Sequence, residues 1–249
     1  MVCQRHHAGQ TLSKPLRVLA WLFRLAFFAI SKEPGLIKTA LRKPTMLRFD
    51  HIALSALTLA EGTDAVEAAL GLPLAGGGQH PHMATHNRLL GLGDLYLEVI
   101  AADPSAPRPQ WPRWFDLDNF TGPPRLTNWV AQCDDIAIEV ALSPPAIGIP
   151  VALTRGIYSW QMAVPADGKL PFDGTHPALI RWHGPNHPTQ ALPESHARLT
   201  SLEIAHPDAQ ALIQSLQHRL TDPRIHLTQG PTKAIRATFS TPHGPRTLE

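Results

Sequence analysis

The sequence predicts an α+β protein in which repeated βαβββ units form curved, mixed sheets around a cleft. Short segments rich in β-branched and aromatic residues alternate with Gly, Pro and Asp turn signals, which is typical of strands. Helical segments with one apolar face separate the first strand of each set from the next three. This order of elements occurs three times, and such an internal repeat favours strands that curl around a shared cleft.

The first unit is bounded by residues 49–54 and residues 95–100, which are both predicted strands. Side chains alternate between the two faces of a strand, and each segment has one face that is apolar except at its middle. The exceptions are His51 in the opening strand and Glu98 in the closing strand. Both side chains can bind a metal ion, and a ligand pocket is expected where they meet.

A helix is predicted over residues 58–70, because Leu59, Val66 and Leu70 recur on one helical face and Gly71 follows as a stop signal. A triple-glycine loop comes next. It does not indicate phosphate binding, since it lacks both the Lys-Ser/Thr pair and the strand-to-helix context of such loops. The chain also has no Gly-x-Ser-x-Gly elbow, so a nucleophilic hydrolase is not indicated.

Three motifs follow one another in the first unit. They are Asp50-His51-Ile52 on the opening strand, His80-Pro81 and Thr85-His86-Asn87 in a turn, and Leu92-Gly93-Asp94-Leu95-Tyr96-Leu97-Glu98 on the closing strand. In this order they resemble the glyoxalase-like branch of the vicinal oxygen chelate superfamily. The resemblance implies a cup made of two paired units, with metal ligands on the first and last strands of each. It does not select a reaction, because the superfamily contains isomerases, lyases, dioxygenases, epoxide-opening transferases and proteins that only bind drugs.

The repeats also predict the domain organisation. Residues 46–188 are expected to form a glyoxalase-like domain of two βαβββ-like units, to which the resemblance applies. Residues 196–249 are expected to form a third unit that completes the sheet. The Pro- and Trp-rich connector within the first domain is expected to be ordered by its tryptophans, since disordered linkers are poor in aromatic residues.

Residues 1–45 differ in composition from the rest of the chain, with eight Lys or Arg residues against one acidic residue. Their apolar stretch, residues 16–30, is too short to span a bilayer and contains two arginines. Two interpretations stay open. The segment is either a basic amphipathic helix on a membrane surface, or a disordered or untranslated tail ahead of a true start at Met46.

The remainder of the chain is mildly acidic and shows no basic footprint for nucleic acid. The two cysteines, Cys3 and Cys133, form no metal-type or disulfide-type spacing, which favours a reducing cytoplasm. The expected partner is a small-molecule ligand in a cytoplasmic protein, with membrane contact only through residues 1–45. A homodimer formed by pairing of sheets is compatible with the predicted fold.

The resemblance implies that His51 and Glu98 hold a divalent metal ion, and Fe, Mn, Zn, Ni and Mg all accept imidazole or carboxylate ligands. The alternative for His51 is a buried, hydrogen-bonded imidazole in the core. Alignment of the second unit on the first places Trp129 opposite His51 and Arg181 opposite Glu98. The second unit therefore lacks a ligand pair of its own.

The third unit and the turn supply further candidates. Glu203 aligns with His51 and Glu249 with Glu98, although a surface position is the alternative for both glutamates. His86 and Glu203 are the predicted catalytic residues, because His titrates near neutral pH and either group could move a proton. For the other histidines of the turn, His80 and His82, an ordinary turn is the preferred interpretation. The predicted ligand-pocket residues, for which the three tryptophans could equally be core, are Asn87, Trp129, Trp160 and Trp182.

Two functions from different classes fit this sequence. The first is a divalent-metal-dependent enzyme of the lyase/isomerase or dioxygenase type, acting on a small oxygen-rich substrate. The second is a non-catalytic, drug-sequestering protein that binds a small molecule without metal. The pair of His51 and Glu98 favours the enzyme, and the missing ligand pair in the second unit favours the binding protein.

Overall fold

The structure is a computed structural model that describes residues 46–249. Residues 1–45 lie outside the described residues, and so do both interpretations of them. The strands and α-helices of the described part are, in chain order, β1 Arg48–Ser55, α1 Leu59–Leu70, β2 Gln79–His80, β3 Thr85–Gly91, β4 Tyr96–Ala102, β5 Arg125–Gln132, α2 Ile136–Leu142, β6 Ile149–Arg155, β7 Tyr158–Val164, β8 Ala178–His183, β9 Arg198–His206, α3 Ala209–Leu216, β10 Ile225–Gln229, β11 Ala234–Thr241 and β12 Gly244–Leu248.

Eight strands form one sheet in the order β2-β3-β4-β1-β5-β8-β7-β6. Strand β1 lies at its centre, parallel to β4 and antiparallel to β5, and β5 is in turn parallel to β8. The first and last strands of each unit are thus neighbours, and the two units join along β1 and β5. The edge strands β2 and β6 also approach each other, so the sheet curves until it is nearly closed. The predicted α+β fold, with βαβββ units around a cleft, is confirmed.

Helix α1 packs closely on β4 because a glycine faces the sheet. A Cβ atom at Gly62 would lie 2.6 Å from Cγ1 of Val99, so a larger residue would force the helix away. Thr58 is the N-cap and accepts a hydrogen bond from a first-turn backbone N–H at 3.2 Å. Gly71 ends the helix in the left-handed conformation, with φ of 70°. The predicted helix over residues 58–70 therefore begins one residue later, after its cap.

The third unit forms a four-stranded sheet of its own, in the order β10-β9-β11-β12, instead of completing the large sheet. Strand β9 is parallel to β10 and antiparallel to β11, whereas β1 pairs with the last strand of its unit. The third unit therefore adds no strand to the large sheet. Two backbone hydrogen bonds attach the units, from Leu47 N to Arg219 O at 2.6 Å and from Leu126 N to Glu249 O at 3.0 Å.

A single apolar core extends through all three units. Val66 of α1, Trp129 of β5 and Phe239 of β11 are each fully buried and belong to the same hydrophobic cluster. The helices that cover this core are short, and α1 is 12 residues long. Within residues 46–249, no helix combines the length and the apolar character that a membrane crossing requires.

Candidate functional site

A small cavity lies inside the curved sheet and takes its lining from both units of that sheet. Its volume is about 30 Å³, which is enough for one or two water-sized groups. The polar side chains of the lining are His51, His80, Asn87, Glu98 and Arg155. The apolar wall that the second unit contributes consists of Trp160, Met162, Ile180 and Trp182. A few convergent polar groups against an apolar wall are typical of a ligand site.

A β-bulge in β1 brings Asp50 and His51 together. Phe49 pairs with Ala131 and His51 pairs with Val130, so Asp50 is an extra residue without a partner in β5. A bulge re-aims side chains that would otherwise point to opposite faces of the sheet. As a result, Oδ1 of Asp50 lies 2.5 Å from Nδ1 of His51.

Asp50 and the His51 ring are also held by other neighbours. Oδ2 of Asp50 accepts hydrogen bonds from Nε1 of Trp182 at 2.9 Å and from Nε2 of His187 at 3.1 Å. The His51 ring stacks on Tyr96, with ring centroids 4.3 Å apart. The hydrogen bond with Asp50 and the stacking on Tyr96 fix the orientation of the His51 imidazole, and its Nε2 atom points towards Glu98.

Glu98 faces His51 across a short gap. Its Oε2 atom lies 3.6 Å from Nε2 of His51, which is longer than a hydrogen bond. Its Oε1 atom accepts a hydrogen bond from Nδ2 of Asn87 at 2.6 Å. The carboxylate is therefore oriented from one side and open to a small group on the other.

Arg155 joins the two edges of the sheet next to Asn87 and Glu98. Its Nη1 atom lies 3.1 Å from both Nε2 of His80 and Oδ1 of Asn87. Because a guanidinium only donates hydrogen bonds, Nε2 of His80 is the acceptor. Nδ1 of His80 then carries the proton and donates to Oγ1 of Thr85 at 3.1 Å. This contact connects the end of β6 to β2.

The two carboxylates determine the protonation state of His51. Burial alone would lower the pKa of His51, but Asp50 and Glu98 outweigh it and raise the pKa to about 9. Burial would raise the pKa of Glu98, yet the nearby charge of His51 and the hydrogen bond from Asn87 prevail and lower it to about 2. Despite burial, His187 and His51 hold the pKa of Asp50 well below its usual range. At neutral pH, an imidazolium therefore lies between two carboxylates.

Two other buried groups of the site stay neutral at this pH. Burial lowers the pKa of His80 to about 4. The charge of Glu98 opposes this shift, and the charge of Arg155 adds to it. Burial, with the charges of Asp50 and Glu98, raises the pKa of Tyr96 well above its usual value. His80 and Tyr96 are therefore hydrogen-bonding and stacking groups without charge.

The raised pKa of His51 predicts a loss of stability as the pH rises. Such a group stabilises the fold below its unfolded pKa of 6.5 and loses this contribution as the pH passes its folded pKa of about 9. Between pH 6.5 and pH 8.5, this one group is expected to lower the free energy of unfolding by about 2 kcal/mol. Urea unfolding at both pH values measures the decrease, and His51→Gln should lack this part of it.

The pH range of this experiment ends at 8.5, because above that pH a second group, the Cys133 thiol, also changes the stability. Burial raises the pKa of the Cys133 thiol to about 12, so that stability is lost as the unfolded thiol ionises, near pH 9. His226→Gln is the matched control, since this histidine is exposed on β10. It should keep the pH dependence of the wild-type protein. Equal pH dependence in His51→Gln and the wild type would mean that His51 is uncharged in the folded protein.

Five of the predicted site residues lie around the cavity. They are His51, Glu98, Asn87, Trp160 and Trp182. Trp129 is not part of the lining, because it is fully buried in the core and donates its Nε1–H to the carbonyl oxygen of Thr175 at 2.7 Å. The alignment that placed Arg181 opposite Glu98 is displaced by one residue, since Ile180 and Trp182 line the cavity.

The two residues predicted to be catalytic lie elsewhere. His86 adjoins Asn87 on β3, so its side chain points to the opposite face of the sheet. Glu203 is exposed on β9 and lines a surface groove together with Glu249, because the third unit forms a separate sheet. Neither His86 nor Glu203 lines the cavity. Proton transfer in the cavity would therefore depend on other residues.

Five residues of the site were missed in the sequence. Two of them line the cavity, namely His80, which was assigned to an ordinary turn but lies on β2, and Tyr96. The other three are Asp50, Arg155 and His187. Asp50 precedes His51 directly, and that adjacency was the available signal, but regular strand alternation would separate the two side chains. His187 lies in the loop after β8 and has no periodic pattern around it. Arg155 reaches the first unit only because the sheet edges meet. For Arg155 and His187 the sequence contains no local signal.

The site does not fit a preformed metal centre. His51 and Glu98 can each supply one ligand, and Asp50 orients the imidazole as carboxylates do behind many metal-bound histidines. Catalytic zinc sites, however, use three protein ligands. Within residues 46–249, no three His, Cys, Asp or Glu side chains are grouped to hold an ion. Nε2 of His80 is directed at the guanidinium of Arg155, whose positive charge opposes a second cation there.

Comparison with protein families gives a match over most of the described chain. A family model described as a glyoxalase-like domain matches residues 49–220. The match includes both units of the eight-stranded sheet and extends past α3, the helix of the third unit. Among curated proteins, none matches this sequence.

Solved structures resemble this chain at low sequence identity. A hypothetical protein from Staphylococcus aureus has a TM-score of 0.52 at 12% identity, over 76% of this chain and 88% of that chain. Methylmalonyl-CoA epimerase from Mycobacterium tuberculosis has a TM-score of 0.37 at 16% identity, over 55% of this chain and 88% of that chain. At 12% identity, the likeness to the Staphylococcus aureus protein concerns the fold alone.

Proposed function

The chain belongs to the family of glyoxalase-like domains, and from this premise we propose that it is an enzyme that transfers a proton at a carbon atom next to a carbonyl group. The substrate is a small, oxygen-rich molecule, and the reaction is of the lyase or isomerase type. The observation that carries this proposal is the buried row of Asp50, His51 and Glu98, in which two carboxylates flank one imidazole.

The energetic cost of this row supports a functional role. Removal of a charged group from water costs several kcal/mol per ion, and apolar side chains of similar volume often stabilise a core as well or better. Asp50, His51 and Glu98 are nevertheless all buried, with 2%, 4% and 6% of their surfaces exposed. Strongly shifted pKa values in a cavity are typical of catalytic groups.

Glu98 is the proposed base. Its carboxylate is ionised, and Asn87 orients it while its Oε2 atom borders the gap to His51. In the free protein the charge of His51 keeps Glu98 a weak base. A substrate oxygen that accepts the hydrogen bond of His51 would separate the pair and so raise the pKa of Glu98 when substrate is bound.

His51 is the proposed acid. Its Nε2–H group points into the cavity while Asp50 holds the other ring nitrogen at 2.5 Å. An imidazolium stabilises the negative charge that develops on a carbonyl oxygen when the neighbouring carbon loses its proton. Arg155 adds a second positive charge to the same cavity. Asp50 keeps His51 protonated and oriented, which makes it a positioning residue.

Exchange of carbon-bound hydrogen with solvent tests the proposal. A panel of 2-oxo acids and 2-hydroxy ketones is incubated with the protein in D₂O and followed by proton NMR. For at least one compound, we expect the signal next to the carbonyl group to disappear faster than in buffer. The rate should survive treatment with EDTA. An activity that EDTA removes and a divalent ion restores would instead favour a metal held by His51 and Glu98, which would leave no proton on Nε2.

Non-catalytic binding of a small molecule is the second candidate function. It is favoured by the apolar wall of Trp160, Met162, Ile180 and Trp182, which offers contact area without a reactive group. Ligand-observed NMR on the same panel distinguishes the two functions. Compounds that bind but never exchange their hydrogen would favour binding alone.

We also propose a cytoplasmic setting for this activity. Cys133 is a free cysteine in the described part of the chain. Its buried thiol donates to the carbonyl oxygen of Ile180 at 3.5 Å, which supports a reducing environment. The small cavity likewise supports a small molecule as the partner.

A further inference from the structure

The cavity is too small to hold a whole substrate. About 30 Å³ accommodates the reacting atoms of a carbonyl compound and little more. A substrate that reacts between His51 and Glu98 must therefore extend out of the cavity. The direction in which it extends determines which class of molecule the protein can accept.

The cavity adjoins the seam between β2 and β6, the two edges of the large sheet. A seam pocket of about 250 Å³ lies there. His80 and Trp160 line both the seam pocket and the cavity, so the two spaces lie on either side of these side chains. Leu153 and Thr154 of β6 form the opposite side of the seam pocket.

A larger apolar groove of about 620 Å³ lies beside the seam pocket and shares His82 with it. The apolar residues of this groove include Met83, Trp111, Pro112, Pro145, Ile149, Val151 and Val164. Two of them are unusually exposed for their size, at 44% for Trp111 and 70% for Ile149. The one acidic residue in the lining of this groove, Asp167, would repel an anionic group of a ligand.

Trp111 is held in a fixed position on the groove. Its ring stacks on His82, with centroids 4.4 Å apart, and its Nε1–H donates to the carbonyl oxygen of His82 at 3.2 Å. An exposed indole fixed in this way presents a rigid apolar face and loses little conformational entropy when a ligand binds.

We propose that the apolar groove binds the uncharged aliphatic chain of the substrate, while its carbonyl end reaches His51 and Glu98 along the seam. This inference rests on the proposed function and names the substrate class. The substrate is an amphipathic molecule with an oxygen-rich head and a straight apolar chain. The succession of cavity, seam pocket and groove, which share His80, Trp160 and His82 as lining residues, supports it.

Straight-chain 2-oxo acids with four, eight and twelve carbon atoms test the inference by calorimetric titration below their micelle concentrations. Each methylene group that enters the groove is expected to lower Kd about fourfold. Ile149→Ser should raise the Kd of the twelve-carbon acid about fivefold to tenfold and leave the four-carbon acid unchanged. Ile157→Ser is the matched control, because Ile157 is 69% exposed and lies outside the groove. It should bind all three acids like the wild type.

Affinity that does not depend on chain length would overturn the inference, and so would an equal loss in Ile149→Ser and Ile157→Ser. The outcome is separable from that of the proposed function. If hydrogen exchange occurs but Kd does not depend on chain length, the proposed function stands and the proposed binding of the chain in the groove is wrong. If longer acids bind more tightly but none exchanges its hydrogen, the groove stands and the proton transfer fails.

Discussion

Replacement of Glu98 by glutamine is expected to slow hydrogen exchange at the substrate carbon by roughly 10²–10⁴-fold, the contribution of a positioned general base. Glutamine has the size of glutamate, and its oxygen can still accept the hydrogen bond that Asn87 now donates at 2.6 Å. It cannot take up a proton from carbon. The measurement is the initial rate of NMR signal loss in D₂O at neutral pH, with equal folding of both proteins checked by circular dichroism.

Glu203→Gln is the matched control for this result. It makes the same chemical change on the exposed face of β9, where the side chain lines a groove of the second sheet. Its exchange rate should equal that of the wild type. The sequence alignment predicted Glu203 as a catalytic residue, whereas the structure places Glu98 at the cavity. The two variants therefore also test which of the two glutamates is needed for exchange. A wild-type rate in Glu98→Gln would remove Glu98 from the role of base.

The first unit was predictable because its signals are local. The helix over residues 58–70 carries its own cap in Thr58 and its own stop in Gly71. His51 and Glu98 stand out because each interrupts an apolar strand face, and both reach the cavity. Periodicity of side chains along one element is enough to place such residues on a common face.

The rest of the site depends on contacts between distant segments. Asp50 joins His51 only because β1 bulges against β5, and no property of β1 alone indicates that pairing. Arg155 reaches His80 only because the two edges of the sheet meet. The third unit has the element order of the others, but it forms its own sheet with a different strand pairing. The order of helices and strands can therefore be predicted from this sequence, whereas the register of paired strands and the closure of the sheet cannot.

A buried ion pair connects the second unit to the third. Nη1 of Arg219 lies 2.7 Å from Oε2 of Glu139, and their side chains are 8% and 0% exposed. Glu139 belongs to α2, and Arg219 follows α3. The carbonyl oxygen of Arg219 also accepts the hydrogen bond from Leu47 N, immediately before β1. This position lies at the junction of all three units.

Arg219→Leu is therefore expected to lower the free energy of unfolding by about 3–5 kcal/mol, because the Glu139 carboxylate stays buried without the guanidinium. Urea unfolding at neutral pH measures the loss. Arg198→Leu is the matched control, since Arg198 pairs with Glu194 at side-chain exposures of 48% and 50%. An exposed pair of this kind contributes less than about 1 kcal/mol.

The double variant Glu139→Leu/Arg219→Leu separates charge from packing at this junction. If the loss in Arg219→Leu comes from the buried carboxylate, removal of both charges should restore most of the stability, because apolar side chains can replace a buried ion pair. If the loss comes from the packing of the Arg219 stem or from its place beside Leu47, the double variant should be as unstable as the single one. Only the first result would show that the loss in Arg219→Leu comes from the buried charge of Glu139 and not from lost packing at the junction.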